Sequence, residues 1–251
     1  MFLWRQAPTE ALLDRAEAGD LDTPDGVAMV AAEMLQDADT MIQDLAEQWL
    51  LLKQAALVDP EYALFPDFDE ALRESMLQET RLVFAELWAT NRSLLDIVNA
   101  DFTYVNGRLA AHYGIEDIEG DLFQRIELPQ AYRKGVLTHA SWLAATSERT
   151  RTSPVKRGKW VLEELLCIAP PAPPPGVEGL PEGVDQNASL RERLEQHRAD
   201  PACSACHIHM DAVGFGLEQF NAVGAFRTHD GDELIEPAGE LEGGIPFADA
   251  V

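Results

Sequence analysis

The spacing of apolar residues predicts a long helix near the start of the chain. Between residues 31 and 58, apolar side chains recur every three or four positions, which is the period of one helix face. The stripe consists of Met34, Ala38, Met41, Leu45, Trp49, Leu52 and Ala56. We therefore expect one continuous amphipathic helix over this segment.

A second stripe follows the stretch FPDF at residues 65–68. Asp67 or Asp69 can cap this helix, because an aspartate side chain accepts a hydrogen bond from one of the first backbone amides. The apolar face is continued by Leu72, Met76, Thr80, Val83, Leu87 and Asn91. Beyond it, residues 93–115 predict two shorter helices that Gly107 and Gly114 delimit.

A turn-rich stretch at residues 116–130 predicts a domain boundary near residue 128. Two helices are expected after it, in residues 130–147 and 153–169. The second would have Ser153 as its cap and Pro154 at its first position, where the missing amide hydrogen is not needed. Its predicted buried side is formed by Val161, Leu162, Leu165 and Leu166.

Residues 169–184 form a proline-rich segment, with five prolines between Pro170 and Pro175. Proline fixes the backbone torsion φ and lacks an amide donor, so this segment is expected to be an extended polyproline strap. A short amphipathic helix is predicted at residues 188–201. The expected fold is therefore all-α, with a helical domain at 1–128 and a second helical domain at 129–251 that includes the strap.

Composition excludes several kinds of partner. The 251 residues include 44 acidic and 19 basic side chains, a formal charge of −25, which repels nucleic acids and anionic lipids. The sequence has no apolar run of the roughly 18 residues that a membrane span needs. The first residues do not have the pattern of an export signal. We therefore expect neither a nucleic-acid partner nor a membrane span in this chain.

Basic residues are concentrated in one segment of an otherwise acidic chain. Residues 1–130 hold 26 acidic and 8 basic side chains, whereas residues 133–159 hold seven basic side chains against the single acid Glu148. One interpretation is a solvated segment that pairs with the acidic first half. The other is an anion site for acidic groups of a cofactor or of a partner. Its candidate residues are Arg149, Arg151, Lys156 and Arg157.

The strongest chemical signal is the stretch CSACH, in which Cys203, Cys206 and His207 fall within five residues. In c-type haem attachment, two cysteines three positions apart bind the two vinyl groups as thioethers. The adjacent histidine then binds the iron from the proximal side. The spacing therefore predicts one covalent haem c and a cytochrome c-like, haem-binding second domain, with His207 as the proximal ligand. The haem propionates would be the acidic groups bound by the basic segment in its second interpretation.

Two other chemistries fit part of this motif. Zinc would need a second pair of ligands with a comparable spacing, and Cys167 could supply only a single isolated ligand. A redox-active dithiol is the remaining alternative. Cys167 itself is expected to be a buried free thiol.

Long stretches of the chain resemble a known family. They include FLWRQAP, FPDFDEALRESMLQET and NRSLLDIVNADFTYVNGRLAAHYGI in the first half, and RTSPVKRGKWVLEELLCIAPPAPPPGV and HRADPACSACHIHMDAVGFGLEQFNAVGAFR in the second. In these segments the chain is similar to secreted multidomain c-type cytochromes of planctomycetes and myxobacteria. In that family, helical domains of unknown function accompany a Cys-x-x-Cys-His haem motif.

The resemblance implies that this sequence is a piece of a longer protein with an export signal and further domains. Haem c is attached outside the cytoplasm, so the parent protein is expected to be periplasmic, secreted or on the cell surface. The family does not indicate a substrate.

The sixth iron ligand is open at the level of the sequence. Met210 lies three positions after His207 on the same side of a helix, so it cannot reach the opposite face of a haem and is expected to pack in the core. The candidates are His229, His197, His139 and Met76, and an empty sixth position is a further alternative.

Three functions remain, and electron transfer is preferred because the sequence contains no recognisable substrate motif beside the haem motif. Its partner would be a redox protein with a basic docking surface, attracted by the acidic chain. The alternatives are a haem-dependent oxidoreductase or peroxidase-like enzyme, in which Arg149, Arg151 or His139 polarises a bound oxidant, and a zinc-binding or structural interaction module.

Overall fold

The computed structural model of the chain describes residues 7–35, 39–170, 190–198, 201–241 and 244–249. About 48% of the protein is helical, which confirms the prediction of a mostly helical fold. The helices are α1 (Glu10–Glu17), α2 (Pro24–Met34), α3 (Asp39–Trp49), α4 (Leu52–Ala55), α5 (Glu70–Ala89), α6 (Asp96–Asn99), α7 (Gly107–Tyr113), α8 (Ala140–Ala145), α9 (Pro154–Trp160), α10 (Leu190–Arg198) and α11 (Pro201–Phe215).

Short strands accompany the helices in three antiparallel pairs within the described residues. They are β1 (Phe102–Val105) with β2 (Gln124–Glu127), β3 (His229–Asp230) with β4 (Glu233–Leu234), and β5 (Gly239–Leu241) with β6 (Ile245–Phe247). In the first pair Phe102 lies opposite Glu127. The strap predicted at 169–184 falls almost entirely in residues 171–189, which lie outside the described residues.

The long helix predicted over residues 31–58 is wrong as a single element. Helix α2 ends at Met34, α3 ends at Trp49 and α4 begins at Leu52. Leu51 lies between the last two in the left-handed conformation, with φ of 59°, which interrupts regular helix geometry. Met41 of α3 and Leu52 of α4 are buried in one hydrophobic cluster, whereas Leu45 and Ala56 are exposed, so the predicted stripe is only partly correct.

Helix α5 follows the predicted pattern closely. The carboxylate of Asp69 accepts a hydrogen bond from the amide of Leu72 at 2.7 Å and caps the first turn. The predicted face is buried over its length, at Leu72, Met76, Thr80, Val83 and Leu87. Asn91 lies beyond the end of the helix and is exposed, so the prediction for that position is wrong.

The segment 93–115 contains the two predicted short helices and, between them, a strand that was not predicted. Helices α6 and α7 are present, and β1 lies between them because Phe102 to Val105 are aromatic and β-branched residues that pair with β2. The side chain of Asn106 caps α7 by accepting from the amide of Leu109 at 3.0 Å. Gly114 ends that helix in the left-handed conformation.

The helix expected at residues 130–147 begins only at Ala140. A 3₁₀ turn at Val136–Thr138 precedes it, and Gly135 has a φ of 53°, which a helix does not permit. Helix α9 is capped by Ser153 and starts at Pro154, as predicted, and it continues as a π-helical turn over Val161–Leu165. In that turn Val161 and Leu162 are buried, whereas Leu166 beyond it is exposed.

The main hydrophobic cluster takes residues from both sides of position 128. Leu77 and Phe84 of α5 lie in the same cluster as Trp142 of α8 and the downstream residues Leu217 and Phe220. Burial of this kind contributes about 25 cal/mol for each Å² of apolar surface removed from water. The two halves therefore share one core, and the division at residue 128 stays a prediction.

Polar contacts also join the two halves. The guanidinium of Arg133 is buried and donates to the carbonyl oxygen of Gly224 at 2.7 Å, and it stacks over the ring of Tyr113 at 3.8 Å. A hydrogen bond of 2.8 Å joins His112 Nε2 to the carbonyl oxygen of Val223. Burial lowers the pKa of His112 to about 4, so this imidazole is neutral at physiological pH.

Candidate functional site

The CSACH motif lies on helix α11 (Pro201–Phe215). Cys203 is three residues before Cys206 and four before His207, a spacing that places the three residues on one face of a helix. The cysteine side chains lie outside the described residues, whereas the side chain of His207 is described. The helical backbone therefore places residues 203, 206 and 207 on the same face of α11.

A close contact with α9 fixes the position of α11. A Cβ added to Gly158 would lie 2.6 Å from the carbonyl carbon of Met210, and a Cβ added to Gly214 would lie 2.6 Å from the Cα of Pro154. These distances are too short for any side chain, so the two helix backbones touch at both glycines. Met210 is buried at this contact, as expected for a packing residue.

The imidazole of His207 is oriented by a carboxylate one helical turn further on. Its Nδ1 lies 3.1 Å from Oδ1 of Asp211. The Asp211 side chain is 0% exposed and that of His207 is 19% exposed. This contact engages Nδ1 with Asp211 and fixes the orientation of the ring.

The structure places two of the predicted sixth ligands in the interior of the protein. Met76 is buried in a hydrophobic cluster with Leu72 and Leu109. His139 is buried at the start of α8, where its Nδ1 shares a hydrogen bond of 2.9 Å with the hydroxyl of Thr80. Helix α11 packs chiefly on α9, α10 and β5, and neither residue lies on these elements.

The other two histidines lie on elements of the second half. His229 is exposed in β3, and its Nδ1 shares a hydrogen bond of 2.9 Å with the hydroxyl of Thr228. His197 is in the last turn of α10, a helix that packs against α11, and its side chain lies outside the described residues. The identity of the sixth ligand stays a prediction.

Two members of the basic segment form surface ion pairs. Arg149 is 3.1 Å from the carboxylate of Asp59 and 3.7 Å from that of Glu61, both in the acidic first half. Lys156 is 2.9 Å from the carboxylate of Glu148 in its own segment. Their contacts match the interpretation in which the basic segment pairs with acidic residues, and exposed pairs of this kind contribute little to stability.

Arg157 differs from these because its side chain is 0% exposed. Its guanidinium donates to the carbonyl oxygens of Leu217, Phe220 and Asn221, at 2.7, 2.9 and 3.0 Å, and it lies 3.3 Å from the carboxylate of Glu218. Burial lowers the pKa of Arg157 to about 10, although Glu218 opposes this shift. Arg157 thus holds the segment that follows α11 against α9.

Glu218 is the acidic centre of the same cluster. Its carboxylate accepts from the hydroxyl of Thr152 at 2.6 Å and lies 3.1 Å from the guanidinium of Arg227. Burial raises the pKa of Glu218, and the charges of Arg157 and Arg227 partly offset this effect. Arg151 donates to the carbonyl oxygen of Thr152 at 2.9 Å, and burial lowers its pKa.

A buried polar cluster in the first half was missed by the sequence patterns. Glu79 is fully buried on α5 and accepts hydrogen bonds from Thr103 at 2.7 Å and Tyr113 at 2.6 Å. His139 Nε2 lies 4.0 Å from the same carboxylate. Burial is the main cause that lowers the pKa of His139. The only local signal was an acidic residue beside the apolar stripe of α5.

One cavity of about 140 Å³ lies beside the end of α11, between α10 and the hairpin of β3 and β4. It is lined by Leu190, Arg191, Phe215, Glu218, Asp230, Glu233, Leu234, Ile235 and Glu236. Sites for small molecules commonly measure about 300–1,000 Å³. By its size this cavity does not indicate a pocket for a cofactor.

The described residues show where potential metal ligands and the free cysteine Cys167 lie. Among the described residues, which do not include the side chains of Cys203 and Cys206, no group of three or more His, Cys, Asp or Glu side chains could hold a metal ion. Cys167 is a free thiol, as predicted, but it is exposed. The prediction that it is buried is wrong, because Cys167 follows the π-helical turn and has left the packed face of α9.

Comparison with known proteins gives two matches to family models, each over part of the chain. Residues 1–115 match PSD4, described as a protein of unknown function (DUF1592), and residues 133–230 match PSCyt3, described as a protein of unknown function (DUF1588). Both are domains typical of planctomycete families associated with multihaem cytochromes. The second match includes Cys203, Cys206 and His207.

These descriptions name neither a cofactor nor a reaction. Neither a curated protein nor a solved structure matches the chain. In the described part of the chain, no helix has the length and apolar character required to cross a bilayer.

Proposed function

We propose that the chain binds one haem c covalently and acts as an electron-transfer module of an extracytoplasmic redox protein. The observation that carries this proposal is the contact between His207 Nδ1 and Asp211 Oδ1, at 3.1 Å, on the helix that bears the Cys-x-x-Cys-His motif. A histidine that binds a metal through one ring nitrogen commonly donates its other N–H to a carboxylate. Nδ1 of His207 lies beside such a carboxylate, which supports the proposal.

The residues present fit the cofactor by their chemistry. Cys203 and Cys206 would form the thioether bonds, and His207 would bind the iron through Nε2. The bound haem supplies a one-electron change between Fe(III) and Fe(II). The protein's own part is to hold the imidazole in one orientation. The rigid contact of α11 with α9 and the buried carboxylate of Asp211 both contribute to this.

Charge supports a protein partner with a basic docking surface. The chain carries a formal charge of −25, and its basic residues Arg149 and Lys156 are already paired with carboxylates. A field of this sign steers basic proteins toward the surface and weakens as salt is added. The two matched models are domains of cytochrome-associated families, which agrees with a place beside further domains in a periplasmic, secreted or surface-exposed parent protein.

We expect one haem per chain to remain with the protein after extraction with acidified solvent, when the chain matures in a host that exports it and attaches haem c. The measurement is a pyridine haemochrome spectrum together with protein and iron content. The C203A/C206A double variant should lose the covalent haem because both thioether bonds are removed.

The matched control is C167S, which removes the exposed thiol outside the motif and should keep its haem. Colour that leaves the unmodified protein with the solvent would contradict the proposal. A purified protein that contains zinc without iron would favour the zinc-binding alternative.

The choice between electron transfer and a haem enzyme is tested by adding carbon monoxide to the reduced protein and cyanide to the oxidised protein. For an electron carrier we expect a six-coordinate, low-spin iron whose spectrum neither ligand changes. Each of His229, His197, His139 and Met76 is then replaced singly. Only the variant that lacks the true sixth ligand should contain high-spin iron. A high-spin iron that binds both ligands readily would instead support the oxidoreductase or peroxidase-like alternative.

A further inference from the structure

The contact between His207 and Asp211 has the geometry of a fixed pair. The two residues are four positions apart on α11, so their side chains meet on one face of the helix. The nitrogen-to-oxygen distance is 3.1 Å, and the carboxylate is 0% exposed whereas the imidazole is 19% exposed. The carboxylate therefore lies on the inner side of the imidazole and away from water.

Backbone packing keeps Asp211 in this place. The residue before it, Met210, has its backbone against Gly158 of α9, and Gly214 is against Pro154 one turn later. Two backbone contacts on either side of Asp211 prevent α11 from rotating or sliding. Rotation of α11 that moved Asp211 out of the interior would therefore require α11 to separate from α9.

We propose that Asp211 is a positioning residue that lowers the reduction potential of the haem iron through His207, an inference that rests on the proposed haem. The imidazole keeps its proton on Nδ1 and donates it to Asp211. A carboxylate acceptor makes the opposite nitrogen a stronger electron donor, and hydrogen bonding around axial ligands is one of the means by which proteins tune haem iron.

The buried negative charge acts in the same direction. Fe(III) carries one more positive charge than Fe(II), so a nearby carboxylate in a poorly solvated place stabilises the oxidised iron more than the reduced iron. Reduction takes one electron from the redox partner, and the Nδ1 proton stays in its hydrogen bond in both states. Asp211 should therefore favour the oxidised protein.

The test is a potentiometric titration of the holo-protein and of D211N, which keeps an oxygen acceptor but removes the charge. We expect D211N to raise the midpoint potential by about 59 mV. For a one-electron couple, this shift changes the ratio of Fe(III) to Fe(II) at a fixed ambient potential about tenfold. The matched control is E240Q, which neutralises an exposed carboxylate on β5, a strand that packs on α11. Its potential should match that of the unmodified protein.

The outcomes separate this inference from the proposed function. If the unmodified protein carries covalent haem and D211N has an unchanged potential with native haem content and helicity, the role of Asp211 is refuted while the proposed function stands. If the unmodified protein has no covalent haem, both are refuted.

A second measurement applies if D211N does not fold. In the proton NMR spectrum of the unmodified oxidised protein, the Nδ1 proton of His207 should exchange slowly with deuterated solvent because a buried carboxylate holds it. Exchange as fast as that of an exposed histidine would refute the inference.

Discussion

Replacing Arg157 with alanine should lower the free energy of unfolding by about 3–5 kcal/mol, the cost of breaking a buried ion pair from one side. The guanidinium is 0% exposed and satisfies the carbonyl oxygens of Leu217, Phe220 and Asn221. Without it, the carbonyl oxygens of Leu217 and Asn221 keep one backbone donor each, and the oxygen of Phe220 loses the guanidinium. Glu218 keeps a buried negative charge that Arg227 only partly compensates. The measurement is urea unfolding, in which the midpoint should fall while the slope is unchanged.

The matched control for this variant is R149A, which also removes one arginine and one ion pair. Arg149 lies on the surface, where its pairs with Asp59 and Glu61 are solvated. We expect its loss to change the free energy of unfolding by less than about 1 kcal/mol. If R157A and R149A proved equally stable, the buried network around Arg157 would not hold the segment after α11 in place.

Local signals in the sequence predicted those elements whose ends depend on neighbouring residues. Asp69 caps α5 and Ser153 with Pro154 begins α9, and in both cases the capping side chain bonds an amide three residues later. A pattern of this length is complete within one turn of helix. The helices were therefore predictable where their first turns carry such residues.

Elements that depend on distant residues were not predictable in the same way. Strand β1 forms because Phe102–Val105 pairs with Gln124–Glu127, about twenty residues later. The break at Leu51 requires a non-glycine residue with φ of 59°, which only the packing of the helices on either side can enforce. The partners of Arg157 lie 60 or more positions away, apart from Ser147, and nothing near Arg157 indicated that it is buried.

In the candidate site too, features set by neighbouring residues were predictable and features set by distant residues were not. The Cys-x-x-Cys-His spacing alone predicts Cys203, Cys206 and His207 as candidates, because the motif is complete within five residues. The pair of His207 with Asp211 was also within reach, since a histidine and an aspartate four positions apart on a helix face each other. By contrast, the contact of Gly158 with the backbone at Met210 joins residues 52 positions apart, and a lone glycine in a helix does not reveal its neighbour.

Replacing Gly158 with alanine should destabilise the protein by about 1–3 kcal/mol, the usual cost of overpacking a core. At an exposed position in a helix the same change would stabilise by about 1 kcal/mol, because alanine has the higher helix propensity. The sign is expected to reverse because the new Cβ would lie 2.6 Å from the carbonyl carbon of Met210 and 3.1 Å from the amide nitrogen of Gly214. Backbone atoms cannot move aside as a flexible side chain can, so α9 and α11 must separate.

G214A should behave in the same way, since its Cβ would meet the backbone of Pro154 from the other helix. The matched control is K159A, which changes the exposed neighbour of Gly158 and should alter the free energy of unfolding by no more than about 0.5 kcal/mol. Because His207 and Asp211 are held by the same helix contact, both glycine variants should also retain less haem than K159A under identical maturation. Glycine variants as stable as the unmodified protein would show that α9 and α11 do not touch at their backbones, and the fixed position of Asp211 would lose its structural basis.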